Sequence, residues 1–208
     1  MSKIPVFVHT EKTAGGAVAE YFGFEKGVKT PREDACVDVT YYGQHGKQIR
    51  NFLKSEDDRV LITLRDPADR AISAYNWKKN KTGRDYHKDL DRVIAEGSNG
   101  PAPVQNFTLD DYPKFNNLRL KPYKHYFEGL ELDDPRIKVL CTNDNFSESL
   151  STYAKDDLSC AFLPDQVPVI HKATSDETTL SDDLRNKIYE NRSEDKAIFD
   201  HFCRPSGH

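Results

Sequence analysis

Short apolar runs alternate along this chain with stretches of amphipathic spacing. Val60–Leu64 is the clearest run: β-branched, apolar and bounded by charges, as a buried strand should be. Residues 4–8 and Ile137–Cys141 repeat that pattern, and residues 37–42 alternate more weakly, predicting a short second strand. Residues 167–170 read as a short strand or an extended entry. Helices are predicted over Gly15–Tyr21, about residues 47–54, 114–127 and 146–153, and over 180–202 with an interruption near Asn191-Arg192-Ser193. A further helix carries its own start signal, since Asp66 can accept N–H bonds as N-cap and Pro67 suits the first helical position. Strands alternating with helices predict an α/β fold, a mainly parallel sheet covered on both faces, formed by one domain over residues 1–208. Sites in such folds lie at the carboxyl ends of the strands.

Two segments sit at such ends. In His9-Thr10-Glu11-Lys12-Thr13-Ala14-Gly15-Gly16 a strand runs into a lysine, a hydroxyl and a glycine turn. In Leu64-Arg65-Asp66-Pro67-Ala68-Asp69-Arg70-Ala71-Ile72-Ser73 a strand delivers an arginine to a helix start, with Ser73 two turns further on. Cationic side chains and backbone N–H groups at a strand-to-helix junction suit a phosphate or sulfate. An arginine fork with a hydroxyl is a receptor for a phosphate monoester. Lys12 precedes the glycines rather than following them, so the first segment is not the phosphate loop of an ordinary ATPase or kinase. Asp69 and Arg70 read as helix-surface charges, and Tyr75 and Trp77 as core.

The formal net charge of −4 excludes a general nucleic-acid binder with a broad basic face, though not a small basic pocket. Cys36, Cys141, Cys160 and Cys203 are widely spaced and form no C-x-x-C pair, so spacing supports neither a disulfide nor a metal site; Cys141 reads as a small core residue. His201-Phe202-Cys203 reads as structural or solvated rather than as zinc ligands. No signal peptide and no membrane-spanning run is visible, which predicts a cytoplasmic protein. The sequons at Asn80, Asn106, Asn145 and Asn191 are then expected to be unused. The basic stretch over residues 78–88 reads as a solvated surface or as a steering patch for an anionic acceptor, and residues 96–111 as part of an acceptor lid.

Together the two segments resemble those of sulfotransferases that use 3′-phosphoadenosine-5′-phosphosulfate, the Golgi-type carbohydrate enzymes and their bacterial and viral relatives. The first looks like the family's H-x-P-K-T-[AG]-G-[ST] loop, the second like its L-R-D-P-x-x-R-x-x-S-x-Y segment. Val139-Leu140-Cys141-Thr142-Asn143-Asp144-Asn145-Phe146 and Ser193-Glu194-Asp195-Lys196-Ala197-Ile198-Phe199 also fit later family segments. The resemblance implies a P-loop-like three-layer α/β/α fold. It implies that Lys12 contacts the sulfuryl group, that Thr13, Ala14, Gly15, Gly16 and Ala17 wrap the 5′-phosphate, and that Arg65 and Ser73 hold the 3′-phosphate. It also implies a catalytic histidine, for which His45 in Tyr41-Tyr42-Gly43-Gln44-His45-Gly46 is the candidate, with Glu11 and Glu33 as carboxylate alternatives. His9 reads as a support for the loop, and Lys172, beside His171, as a further nucleotide contact. The acceptor implied is a hydroxylated carbohydrate or small metabolite, with no metal required. Glu11 departs from the family's proline, and Gly16-Ala17 lacks the usual hydroxyls, removing about 1–3 kcal/mol of hydrogen bonding to a ligand. A P-loop-like nucleotide-dependent phosphotransferase and a catalytically inactive nucleotide-binding relative are the alternatives.

Overall fold

The alternation of side chains along three strands gives the sheet two apolar faces. In the computed structural model, which describes residues 4–24, 35–44, 46–82, 120–160, 163–164, 166–168 and 181–204, these strands are β1 (Val6–Val8), β2 (Val60–Leu64) and β3 (Ile137–Cys141). They pair in the order β1-β2-β3, all parallel, with Val8 opposite Ile62 and Ile62 opposite Val139. Every residue of β2 is buried, as a central parallel strand requires.

One face carries Phe7, Leu61 and Leu140, packed against α1 (Gly15–Tyr21) and α4 (Phe146–Thr152) through Val18, Tyr21, Phe146 and Leu150. The other carries Val8, Ile62 and Ile137, covered by α3 (Tyr123–Phe127) and α6 (Ser193–Cys203) through Tyr123, Tyr126, Ile198 and Phe199. A smaller cluster joins α2 (Pro67–Thr82) to α5 (Asp182–Asn191) through Ala68, Ala71 and Ile188. The result is the expected α/β arrangement, a parallel sheet between two helical layers. The break between α5 and α6 falls at Arg192, within the predicted interruption.

Several expected elements shrink. Residues 37–42 form no strand. Asp38 makes a single parallel bridge to Val6, and the Thr40 N–H then bonds the Asp38 carboxylate at 2.9 Å, turning the chain away. The helix expected at 47–54 is a 3₁₀ turn over Ile49–Asn51, because Asp58 takes the N–H groups of Lys54 and Ser55 at 2.7 and 2.6 Å. Of the helix expected at 114–127, the described part begins only after Pro122, which is extended. Beyond α4, Tyr153–Asp157 widens into a π turn. Residues 167 and 168 are not in a strand, and 169–170 lie outside the described residues.

The cysteines are the largest correction. Cys36 is bonded to Cys160 and Cys141 to Cys203, across 124 and 62 residues, so Cys141 is no free core thiol. Linear spacing is silent about such pairs, because it is the fold that brings their Cα atoms to 5.8 and 5.7 Å.

Candidate functional site

Because β1 and β2 are parallel neighbours, the loop after β1 and the junction after β2 emerge side by side at the carboxyl edge of the sheet. A buried threonine cluster fastens them. Thr10 Oγ1 donates to the Thr63 carbonyl at 2.6 Å, Thr13 Oγ1 donates to the Thr10 carbonyl at 3.0 Å, and the Thr63 and Thr13 hydroxyls lie 2.8 Å apart. All three side chains are fully buried. The hydroxyl of Thr13 therefore serves the inside of the loop, and what Thr13 offers outward is backbone. On either side of it Lys12 and Ala14 take left-handed conformations, φ 64° and 59°, uncommon for residues other than glycine. They turn the loop tightly enough to present half-buried Lys12, exposed Ala14 and the start of α1 at one rim.

Gly15 is required for space rather than for its φ. A Cβ there would lie 2.1 Å from His9 Cδ2 and 2.3 Å from Nε2. His9 is buried, stacked on Tyr42 at 4.7 Å, and accepts the Gly43 N–H on Nδ1 at 3.4 Å. It props the loop, as expected of it.

Glu11 and Arg70 are where sequence reasoning missed. Arg70 is only 3% exposed, not a surface charge. Its Nε donates to the Glu11 carbonyl at 2.8 Å and its Nη2 to the Glu11 carboxylate at 3.0 Å, while its guanidinium lies 4.6 Å over the Tyr123 ring. Burial opposes the Arg70 charge, but Tyr123, Tyr126, Glu11 and Asp195 around it together raise its pKa above the ordinary value. Glu11 also accepts the Tyr126 hydroxyl at 2.7 Å. So engaged, Glu11 is a loop anchor and not the free carboxylate that a base would be. The signal for this pair was the departure itself: a carboxylate where the resembling loops carry proline has to find a cation.

At the second junction Arg65 is half-buried, and its backbone is held twice by one phenol. Its N–H donates to Tyr123 Oη at 2.9 Å, and that hydroxyl donates to the Arg65 carbonyl at 2.6 Å. Burial pushes the Tyr123 hydroxyl up to about 12, keeping it a donor at neutral pH. Among the described residues no carboxylate pairs with the Arg65 guanidinium. Asp69 is taken by Arg185 at 2.6 Å. Asp66 caps α2 as expected, accepting the Ala68 and Asp69 N–H groups at 3.0 and 3.3 Å. Its carboxylate is also gathered by Tyr189 at 2.7 Å and by Arg185 and Arg204 at 3.3 Å each. Ser73 is half-buried on α2, one turn beyond Arg70.

Gly43 and Gly46 belong to a third segment, which reaches the loop through Gly43. Gly43 and Gly46 have φ 83° and 80°, and Gly43 is tied to His9. Gly46 is tied to α3: its carbonyl accepts the N–H of His125 Nε2 at 2.8 Å. Of the other candidates, His45, Glu33, His171 and Lys172 lie outside the described residues, as do residues 83–119. Cys203 is in a disulfide and His201 pairs with Asp133 at 3.0 Å. No group of three or more metal-ligating side chains occurs among the described residues.

No protein-family model matches the chain, and no curated protein does. Among solved structures it is similar to a sulfotransferase from Alicyclobacillus acidocaldarius, at 14% identity and a TM-score of 0.43 over 98% of this chain and 97% of that one. So distant a likeness assigns neither family nor activity.

Proposed function

We propose that the chain is a sulfotransferase that binds 3′-phosphoadenosine-5′-phosphosulfate between the 9–16 loop and the Arg65 junction. The observation that carries this reading is the pairing of β1 with β2, which sets the two motif-bearing segments next to each other, cross-linked by the threonine cluster and by Arg70 on Glu11. The donors fit an anion with two phosphate ends. Lys12 and the backbone of residues 13–17 line one rim, while Arg65, held by Tyr123 and unmatched by a carboxylate among the described residues, stands at the other with Ser73 on the helix behind it.

The nucleotide would supply an activated sulfuryl group. Lys12 would stabilise charge building on the departing phosphate oxygen, and the fixed loop would hold the reacting centre in line with an acceptor hydroxyl. His45 is the proposed base for the acceptor proton, supported by its place between two tethered glycines and by a histidine's suitability near neutral pH. Lys172 is kept as a proposed nucleotide contact on resemblance alone. The acceptor class proposed is a carbohydrate or a small hydroxylated metabolite. Among the described residues no helix is long and apolar enough to cross a membrane. Two disulfides suit an oxidising setting better than the reducing cytosol, against the cytoplasmic expectation.

Calorimetric titration with adenosine 3′,5′-bisphosphate tests the reading, with adenosine 5′-phosphate and ATP plus Mg²⁺ as controls. Binding that needs the 3′-phosphate and weakens by about 2 kcal/mol or more in Arg65→Ala is expected, the worth of a charge-assisted contact. A preference for ATP with Mg²⁺ would favour a phosphotransferase instead.

A further inference from the structure

The strand pairing of β2 stops one residue short of Arg65. Leu64 is the last residue served by β3, and the Thr142 N–H and hydroxyl both donate to its carbonyl, at 2.8 and 3.1 Å. On the other side β1 ends at Val8, opposite Ile62, and Thr10 beyond it reaches the Thr63 carbonyl. Backbone groups alternate between the two sides of a strand, so the N–H and carbonyl of Arg65 turn toward β1 after β1 has ended. Groups so placed need other partners. One phenol supplies both: the Arg65 N–H donates to Tyr123 Oη at 2.9 Å, and that hydroxyl donates to the Arg65 carbonyl at 2.6 Å.

Tyr123 is itself held firmly. It is fully buried, its own N–H donates to the Asp195 carboxylate at 2.7 Å, and its ring lies 4.6 Å under the Arg70 guanidinium. Arg70 in turn bonds Glu11 in the loop after β1. The phenol therefore has a fixed place from which to grip Arg65. With both backbone bonds closed, the direction in which the Arg65 side chain leaves the main chain is set, and only its own torsions stay free. No carboxylate among the described residues draws its guanidinium away from the site.

We propose that Tyr123 is a positioning residue for phosphate selectivity: by closing both backbone bonds of Arg65 it aims the guanidinium, so that the site prefers a nucleotide with a 3′-phosphate. This rests on the reading of Arg65 as the receptor for that phosphate. A pre-aimed arginine loses less freedom when the ligand arrives, and the gain goes only to a ligand that the arginine touches. Tyr123 needs no contact with the nucleotide. Tyr126, one helical turn along α3, is the natural contrast, since its equally buried hydroxyl bonds Glu11 rather than Arg65.

The test uses the full oxidised chain and calorimetric titration with two probes, adenosine 3′,5′-bisphosphate and adenosine 5′-phosphate. The readout is the ratio of their affinities. In Tyr123→Phe that ratio should fall by about fivefold, the scale of immobilising one long side chain on binding, while adenosine 5′-phosphate binds within about twofold of wild type. Tyr126→Phe, whatever it does to overall affinity, should keep the wild-type ratio. A merely structural role would move both probes together in both variants. An unchanged ratio in Tyr123→Phe, or an equal fall in Tyr126→Phe, overturns the proposal. If Tyr123→Phe does not fold, the wild type decides by nuclear magnetic resonance. The Tyr123 hydroxyl proton should then shift with the bisphosphate and stay with adenosine 5′-phosphate, and equal shifts overturn the proposal. A wild type that binds neither probe, or both equally, marks failure of the functional reading and takes the selectivity with it. The grip on Arg65 is then judged without ligand, by amide hydrogen exchange at Arg65 relative to Ile62 in β2. Relative exchange equal in wild type and Tyr123→Phe overturns the grip as well.

Discussion

Gly15→Ala should be among the more damaging single-methyl additions in this protein. The new Cβ would sit 2.1 Å from His9 Cδ2 and 2.3 Å from Nε2, well inside contact distance. The imidazole has little room to retreat, since it stacks on Tyr42 at 4.7 Å and accepts the Gly43 N–H. Overpacking of this kind costs about 1–3 kcal/mol, and a displaced ring forfeits the Gly43 bond, about 0.5–1.5 kcal/mol. Alanine repays up to about 1 kcal/mol in helix propensity at the first residue of α1. The net is a loss of about 2 kcal/mol. For a chain of this length that lowers Tm by about 4–8 °C. Urea denaturation of four proteins checks it: wild type, Gly15→Ala, His9→Ala and the double variant. With the ring gone, Gly15→Ala should cost less than about 0.5 kcal/mol, leaving a coupling close to the full single-variant loss. Equal costs in both backgrounds would refute the idea that His9 is what Gly15 makes room for.

Other perturbations have equally definite outcomes. Arg70→Leu leaves the Glu11 carboxylate buried without its cation and should cost about 3–5 kcal/mol in urea unfolding; adding Glu11→Gln should recover part of it, because Tyr126 can still donate to the amide oxygen. Replacing Cys141 and Cys203 together by alanine frees a 62-residue loop and should cost up to about 4 kcal/mol by chain entropy, while thiol titration of the unreduced wild type should find no free cysteine among the four. Hydrogen bonds from Arg136 hold the Asp134 carboxyl below its ordinary 3.8, so its ionised form stabilises the fold above that value and the contribution is lost as pH falls through the depressed one. Asp134→Asn should therefore be less stable than wild type at pH 7, and the two should converge in acid; a gap that persists at pH 2 would assign the loss to something other than ionisation.

The three strands of the sheet were readable because buried parallel strands announce themselves, as Val60–Leu64 does with five buried apolar or threonine positions. The Asp66-Pro67 start of α2 was equally plain, since capping chemistry is local. What was not readable is what the fold brings together from far apart. Arg70 looks like any helix-surface cation until Glu11, 59 residues earlier, comes to meet it. Tyr126, 115 residues from Glu11, gives no sign in its own sequence neighbourhood of a link to the loop. Each disulfide pairs cysteines whose separation carries no pattern at all. Residues 37–42 failed for a smaller reason: Asp38 has a carboxylate able to capture the Thr40 N–H, and a local turn outcompetes a marginal strand.

The gathering of Tyr189, Arg185 and Arg204 on Asp66 bears on how the chain is made. Asp66 caps the helix that follows Arg65, and its partners lie 123, 119 and 138 residues downstream. A ribosome has released both motif-bearing segments long before those partners exist. At about 5–20 residues per second, the nascent Arg65 junction waits for several seconds with its carboxylate and the helix behind it unfinished. Completion of the sheet edge that carries both motifs is thus a late event in synthesis, tied to the emergence of α5 and α6. A nascent chain arrested before Arg185 should carry both motifs and lack the assembled site.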